Sequence, residues 1–320
     1  MKQFISVADA PGVDPLIEAA LAYKADPLRD KELGRGKRVG LLFFNASLRT
    51  RISTQVAAQQ LGMEAIVFNT GTEGWALEFA DEVVMNGHTV EHIKDAAPVL
   101  GAYFDILCIR AFPSLSDKEK DYSEYILQQF IRYAGIPVIS LESATLHPLQ
   151  SLADMITIKE HISPARAKVV LTWAPHIKAT PQCVANSFAQ WANAWDQVAL
   201  TVACPEGYQL DEAFTAGATV TTDQEAALAN ADFIYVKNWS SYREYGQVLP
   251  VAEDWMLTEE QLRQAPGAKI MHCLPVRRDL ELAAALLDSD RSLVTKQAAN
   301  RVWSAQAVLA SVLNTINSKT

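Results

Sequence analysis

The run Val39-Gly40-Leu41-Leu42-Phe43-Phe44, continued by Asn45-Ala46-Ser47-Leu48-Arg49-Thr50-Arg51, decides the fold. Six nearly unbroken apolar residues read as a strand buried on both faces, the mark of a parallel sheet. Asn45 and Ala46 make the turn, and a helical pattern then runs through Ile52, Val56, Ala57 and Leu61. Two hydroxyls and two guanidiniums therefore sit where a strand feeds a helix. The free N–H groups and positive dipole end of a helix start favour an anion, and Arg49 adds a planar fork suited to phosphate oxygens. Two readings stand at this point: a phosphate pocket, or a capped helix with two solvated arginines.

The same strand–helix alternation extends along the chain. Apolar runs at Arg38–Phe44, Glu64–Phe68, Asp105–Arg110, Pro137–Leu141, Lys168–Trp173, Gln197–Val202, Asp232–Val236 and Lys269–His272 predict strands. Patterns such as Tyr122–Tyr133, Leu149–His161, Pro181–Trp195 and Ala298–Ile316 predict helices between and after them. This is an α/β protein, and the strand number suits two doubly wound parallel-sheet domains better than one. A boundary near Pro148–Gln150 gives domains of residues 1–147 and 148–297, with a last helix over 298–320 packing back on the first.

Open α/β sheets bind ligands at the carboxyl ends of their strands. Ser47–Arg51, Arg110, Glu142 with His147, His176, Lys237 and His272-Cys273-Leu274-Pro275 each follow an apolar run. This convergence favours an enzyme acting on a small molecule. Arg49, Arg51, Arg110 and Arg301 favour a compact anion such as phosphate, although each arginine alone would read as a surface residue.

Composition narrows the class. The chain has 320 residues, 49% hydrophobic and 20% charged, with a formal net charge of −9. Its pI near 5.2 argues against a nucleic-acid surface. No apolar run reaches membrane-spanning length and no signal-peptide core follows Met1, so a cytoplasmic protein is expected, with neither nucleic acid nor membrane as partner. The four cysteines, at 108, 183, 204 and 273, lack C-x-x-C spacing. His88 and His92, four apart, are too few to hold a metal and suit a solvated or capping role, with His92 inside a helix. No glycine-rich nucleotide motif is present. Cys273 beside His272 invites a nucleophile, but adjacent residues on an extended chain point opposite ways. Trp75 lies in a loop with two glycines and suits a lid, an arm to another subunit, or a cover over apolar surface.

Phe44–Arg51 resembles the S-x-R-T-R signature of the aspartate/ornithine carbamoyltransferases, and Arg110, His147-Pro148-Leu149-Gln150 and His272-Cys273-Leu274-Pro275 follow in that family's order. The resemblance spans almost the whole chain. It implies a carbamoyl phosphate domain followed by an amino-acid domain, a homotrimer, and no cofactor or metal. The ornithine-type D-x-x-x-S-M-G loop is absent. The Trp75 loop, Glu142, Thr172-Trp173-Ala174-Pro175-His176 and Lys237 look like the members that act on N-acylornithines in arginine biosynthesis. On this resemblance Ser47, Leu48, Arg49, Thr50, Arg110, His147, Gln150, Cys273, Leu274 and Arg301 bind carbamoyl phosphate. Trp75 joins them from a neighbouring subunit, and Arg49, His147 and Arg301 serve catalysis. Val90, Glu142, His176, Lys237 and Arg277 bind the N-acylornithine.

An acylated α-amine carries no charge, so the acceptor site needs cations for carboxylate, and Lys237 is suited to that. The acetyl-type members have Glu where Val90 stands. A carboxylate there would repel a succinyl tail, so the expected acceptor is N-succinyl-L-ornithine, giving N-succinyl-L-citrulline and phosphate. N-acetyl-L-ornithine is the alternative, a diamine such as putrescine is disfavoured by Lys237, and a catalytically silent carbamoyl phosphate-binding paralogue is the rival of another class. Glu281 stands where acetyl-type members carry a carboxylated lysine, and its own negative charge could imitate that group.

Overall fold

The computed structural model describes residues 1–163, 166–251 and 254–318. The last two residues of the expected 298–320 segment lie outside these. The chain forms two compact units: Met1–Ser114, Glu119–Leu149 and Arg301–Thr320 make unit 1, while Leu115–Lys118 and Gln150–Asn300 make unit 2. The helices Pro148–His161 and Val294–Asn317 each contain one of these divisions.

Unit 1 contains strands β1 (Gln3–Phe4), β2 (Arg38–Phe43), β3 (Glu64–Asn69), β4 (Leu77–Glu78), β5 (Glu91–His92), β6 (Ile106–Arg110) and β7 (Val138–Glu142). Five of them form a parallel sheet in the order β1-β7-β6-β2-β3, and β4 pairs separately with β5. The inner strands are the apolar runs, and β6 and β7 are buried at every position, as parallel strands with both faces covered must be. Gly40 in β2 has a packing reason: a Cβ there would lie 2.8 Å from the Phe104 ring.

Unit 2 repeats the design with β8 (Ala167–Trp173), β9 (Val198–Ala203), β10 (Thr219–Thr221), β11 (Phe233–Lys237) and β12 (Lys269–Met271). Their order is β10-β9-β8-β11-β12, again all parallel. All eight expected strands form. The edge strands β1 and β10 and the β4–β5 pair were not anticipated, being two or three residues long.

Two helical expectations need correction. Tyr122–Tyr133 is interrupted: Glu124 adopts a left-handed φ of 55°, and the helix resumes at Tyr125–Tyr133. His92 does not lie inside a helix but precedes Ile93–Tyr103, where its Nδ1 accepts from the Lys94 N–H. Among the described residues, no helix is long and apolar enough to cross a membrane.

Candidate functional site

Unit 1 collects its polar residues at the carboxyl ends of β2, β6 and β7. After β2, the loop is pinned by the Phe44 N–H on the Arg110 carbonyl (2.9 Å) and by Asn45 Oδ1 accepting from the Phe112 N–H (2.7 Å). The helix Arg49–Gln60 then starts with no side-chain cap and no acidic residue in its first turn. Its N-terminal N–H groups and dipole are left to meet an anion, which disfavours the capped-helix reading of Ser47. Ser47 is half-buried there, and Leu48 is 68% exposed.

A register shift between Ile109 and Arg110 sets Arg110 opposite Glu142 rather than Leu141. Such a bulge re-aims a side chain. Here it brings the Arg110 guanidinium onto Glu142 in an ion pair whose side chains are 10% and 8% exposed. The same guanidinium donates to Thr50 Oγ1 (3.3 Å) and stacks on the Phe112 ring at 4.4 Å. Arg301, in the last helix, donates from Nη2 to Thr50 Oγ1 at 2.5 Å and lies 3.4 Å from His147 Nε2. Glu142 Oε2 is also 3.4 Å from that nitrogen.

His147 is thus buried among cations. Burial, and then the charges of Arg301, Arg110 and Arg49, hold its pKa well below the usual histidine value, so the ring is neutral near pH 7. A neutral imidazole keeps one donor and one acceptor nitrogen. Arg49 Nε, Arg110 Nε and His147 Nδ1 are buried and, among the described residues, meet no hydrogen-bond partner. Unmatched buried guanidinium donors of this kind point to an outside acceptor. Glu124 holds the turn that precedes His147 in the chain: its carboxylate accepts from Ser143 Oγ (2.6 Å) and the N–H groups of Ala144 (3.2 Å) and Thr145 (2.9 Å). Burial raises its pKa against those hydrogen bonds. Its left-handed backbone gave no sign in the sequence.

Trp75 and Val90 flank the β4–β5 pair, where the Val90 N–H reaches the Ala76 carbonyl at 2.9 Å. Both are open, at 57% and 63% exposure, and Trp75 Nε1 donates to Glu91 (2.8 Å).

Unit 2 builds its cluster around one carboxylate, Glu281. Asn238 Nδ2 donates to Glu281 Oε2 at 2.5 Å, His272 Nε2 lies 3.0 Å from the same oxygen, and the Arg277 N–H reaches Oε1 at 3.1 Å. His272 Nδ1 accepts from the Leu274 N–H (2.9 Å), so Nε2 carries the hydrogen that goes to Glu281. With both ring nitrogens engaged, His272 is no base for Cys273. Leu274 takes a left-handed φ of 55°, a conformation that persists where neighbours enforce it, as His272 does here.

Lys237 Nζ reaches the Asn238 carbonyl (3.0 Å) and Oδ1 (3.1 Å), so the Asn238 amide links it to Glu281. Arg277 Nε donates to His176 Nε2 at 3.2 Å, and His176 Nδ1 is 2.8 Å from the Lys178 carbonyl. Burial pushes the Glu281 carboxyl up. The His272 hydrogen bond, the charges of His272 and Lys237 and the Arg277 N–H outweigh it and hold the group below the usual carboxylate value. The structure therefore brings His176, Lys237 and Arg277 around a buried anion. Gln150 directs its Nε2 to Asp154 Oδ1 at 2.7 Å. Asn238 and Asp154 were missed by sequence reasoning. Asp154 could have been found by its i,i+4 spacing from Gln150 on one helix. Among the described residues, no group of three or more His, Cys, Asp or Glu is placed to hold a metal.

The sequence matches known proteins along nearly its whole length. Residues 2–160 match the aspartate/ornithine carbamoyltransferase carbamoyl-P binding domain, and residues 181–312 the Asp/Orn binding domain. N-succinylornithine carbamoyltransferase of Bacteroides fragilis is 45% identical over 318 residues, covering 99% of this chain and 100% of that protein. N-acetylornithine carbamoyltransferase of Xanthomonas campestris is 33% identical, covering 98% of each. Among solved structures, a glutamate-substituted N-acetyl-L-ornithine transcarbamylase complexed with carbamyl phosphate and N-succinyl-L-norvaline superposes with a TM-score of 0.91 at 32% identity, over 98% of this chain and 100% of that one. Two parallel α/β units, a guanidinium cluster at an uncapped helix start and this full-length similarity agree: the chain belongs to the aspartate/ornithine carbamoyltransferase family.

Proposed function

We propose that the protein transfers the carbamoyl group of carbamoyl phosphate to the side-chain amine of N-succinyl-L-ornithine, a step of arginine biosynthesis that yields N-succinyl-L-citrulline and phosphate. The observation that carries this reading is the meeting of Arg49, Arg110 and Arg301 around a neutral, buried His147. The acceptor choice is supported by the 45% identity to an N-succinylornithine enzyme and by uncharged Val90, where acetyl-type members have Glu.

The chemistry follows from the charges. The amine nitrogen attacks the carbamoyl carbon, the C–N bond forms, the C–O bond to phosphorus breaks, and phosphate leaves with the electron pair. The amine proton passes to a phosphate oxygen. Ser47, Thr50, the Leu48 N–H, Arg49 and Arg110 hold the phosphate. Glu142 occupies Arg110 in this structure and yields that guanidinium to phosphate, which frees the carboxylate to meet the N-acylornithine. Arg49 and His147 donate to the carbonyl oxygen as negative charge develops, with Arg301 orienting the carbamoyl group. A neutral His147 serves this role, since its hydrogen is a donor without the cost of a buried extra charge. Gln150 and the main-chain carbonyls of Cys273 and Leu274 take the carbamoyl NH2. Lys237, His176 and Arg277 bind the acceptor's carboxylates, and Val90 lines the acyl tail.

The protein acts as a cytoplasmic homotrimer in which Trp75 of one copy closes over the ligand of the next. Exposed Leu48, Ile52, Trp75 and Val84 supply apolar surface of the sort a second copy covers. A colorimetric citrulline-type assay with succinyl-, acetyl- and free ornithine tests the whole reading. Preference for the succinyl substrate is expected. Preference for acetylornithine would overturn the Val90 argument, and no product with any amine would leave a binding protein.

A further inference from the structure

Asp154 belongs to neither cluster, yet it is joined to both the Gln150 side chain and the His272–Leu274 backbone. It is 0% exposed, on a helix whose neighbours Leu152, Ala153, Met155 and Ile156 are fully buried apolar residues. A buried carboxylate is costly unless hydrogen-bonded, and an apolar side chain would satisfy packing alone. Its Oδ1 accepts from two amides, Gln150 Nε2 at 2.7 Å and Gln297 Nε2 at 2.7 Å. Gln297 Oε1 in turn accepts the His272 N–H at 2.9 Å. An ionised carboxylate only accepts and a peptide N–H only donates, so each amide has one permitted orientation. Gln150 must turn Nε2 to Asp154 and its carbonyl Oε1 the other way.

We propose that Asp154 is a positioning residue that sets the polarity of the Gln150 amide, presenting Oε1 as the acceptor for the NH2 of the carbamoyl group. The inference rests on the carbamoyl phosphate reading above. A reversed amide would set NH2 against NH2, two donors with no acceptor. Through Gln297 the same carboxylate ties down the start of the segment whose Cys273 and Leu274 carbonyls receive that NH2. One anion thus aligns every acceptor assigned to the carbamoyl nitrogen. Its influence belongs to binding of the donor and not of the N-acylornithine.

The test is a double-variant cycle on the full chain: wild type, Q150A, D154A and Q150A/D154A, with KM measured for each substrate and Tm for each protein. D154A should raise the carbamoyl phosphate KM about tenfold, the loss of one charge-assisted orienting bond. In the Q150A background the same change should cost less than about twofold, because the group it orients is gone. The N-succinylornithine KM should stay put, which a general loss of structure would not allow. Additive effects, or an unchanged carbamoyl phosphate KM in D154A, overturn the proposal. If D154A does not fold, D154N enters the same cycle. It keeps one accepting oxygen, so a smaller rise, about threefold, is expected, again abolished without Gln150. If the wild type turns over no amine, the functional reading fails separately, and calorimetric binding of carbamoyl phosphate to the same proteins decides the role of Asp154.

Discussion

Unit 1 gathers three guanidiniums about a neutral histidine, whereas unit 2 gathers its donors about a buried carboxylate. In unit 1, Arg49, Arg110 and His147 keep buried nitrogens without partners among the described residues, and Glu142 balances only part of the positive charge. In unit 2, Glu281 accepts from Asn238, His272 and Arg277, and Asn238 passes the contact on to Lys237. The first arrangement carries a charge imbalance that an incoming anion corrects. The second holds its cations in place before any ligand arrives. The physics of a transferred, doubly charged donor explains the first, and that of a positioned acceptor the second.

This contrast can be broken most sharply at Arg49. Arg49→Ala removes the donor proposed to meet developing charge, and turnover at saturating substrates should fall about a thousandfold. A variant with unchanged turnover removes unit 1 from the chemistry. Glu281→Ala strikes the closed network instead, leaving Asn238, His272 and the Arg277 N–H without their acceptor. Denaturant unfolding should show a loss of about 3 kcal/mol, and because His272 also holds the Leu274 N–H the Km for carbamoyl phosphate should rise with that of the acceptor. A loss below about 0.5 kcal/mol would mean that these contacts are solvated and not structural.

The third test uses pH. The His147 pKa is depressed in the folded state, so the unfolded chain takes up the proton first as pH falls. The stability tied to neutral His147 is complete above about pH 6.5 and is lost progressively below it. Between pH 6.5 and 5 this amounts to at most about 2 kcal/mol, and His147→Gln should flatten that part of the stability–pH curve. An equally steep curve in the variant would show that His147 is not the group responsible. The mildest change is Lys237→Met, which keeps the aliphatic stem and removes the charge. The N-succinylornithine Km should rise about tenfold while the carbamoyl phosphate Km holds. Equal rises in both would erase the division of labour between the clusters.

Much of this architecture was legible because buried parallel strands are written as continuous apolar runs. β2, β6, β7, β8 and β11 could be read directly, and with them the polar residues that stand just beyond their carboxyl ends. β1 and β10 were not readable: two or three residues paired along one side leave too little pattern to detect. Glu124 shows a second kind of blindness. The sequence reads as continuous helix, but the carboxylate is taken by the 143–145 turn and the helix breaks to deliver it. His92, likewise, keeps its expected capping role but ends β5 instead of lying inside the helix, a boundary its spacing did not reveal.

Within the candidate site, residue types and their order in the chain were present in the sequence, and with them the family resemblance. The alternation of strands and helices, the acidic net charge and the identity of the basic residues after each strand are local properties, carried by neighbouring residues and so visible in one dimension. Which groups face one another is not local. Arg301 reaches Thr50 across 251 positions, Gln297 reaches Asp154 across 143, and a single bulge turns Arg110 onto Glu142. Those contacts depend on distances of a few ångströms between segments far apart in the chain. Packing of the whole unit sets them, and with them the neutrality of His147, the depressed pKa of Glu281 and the orientation of Gln150.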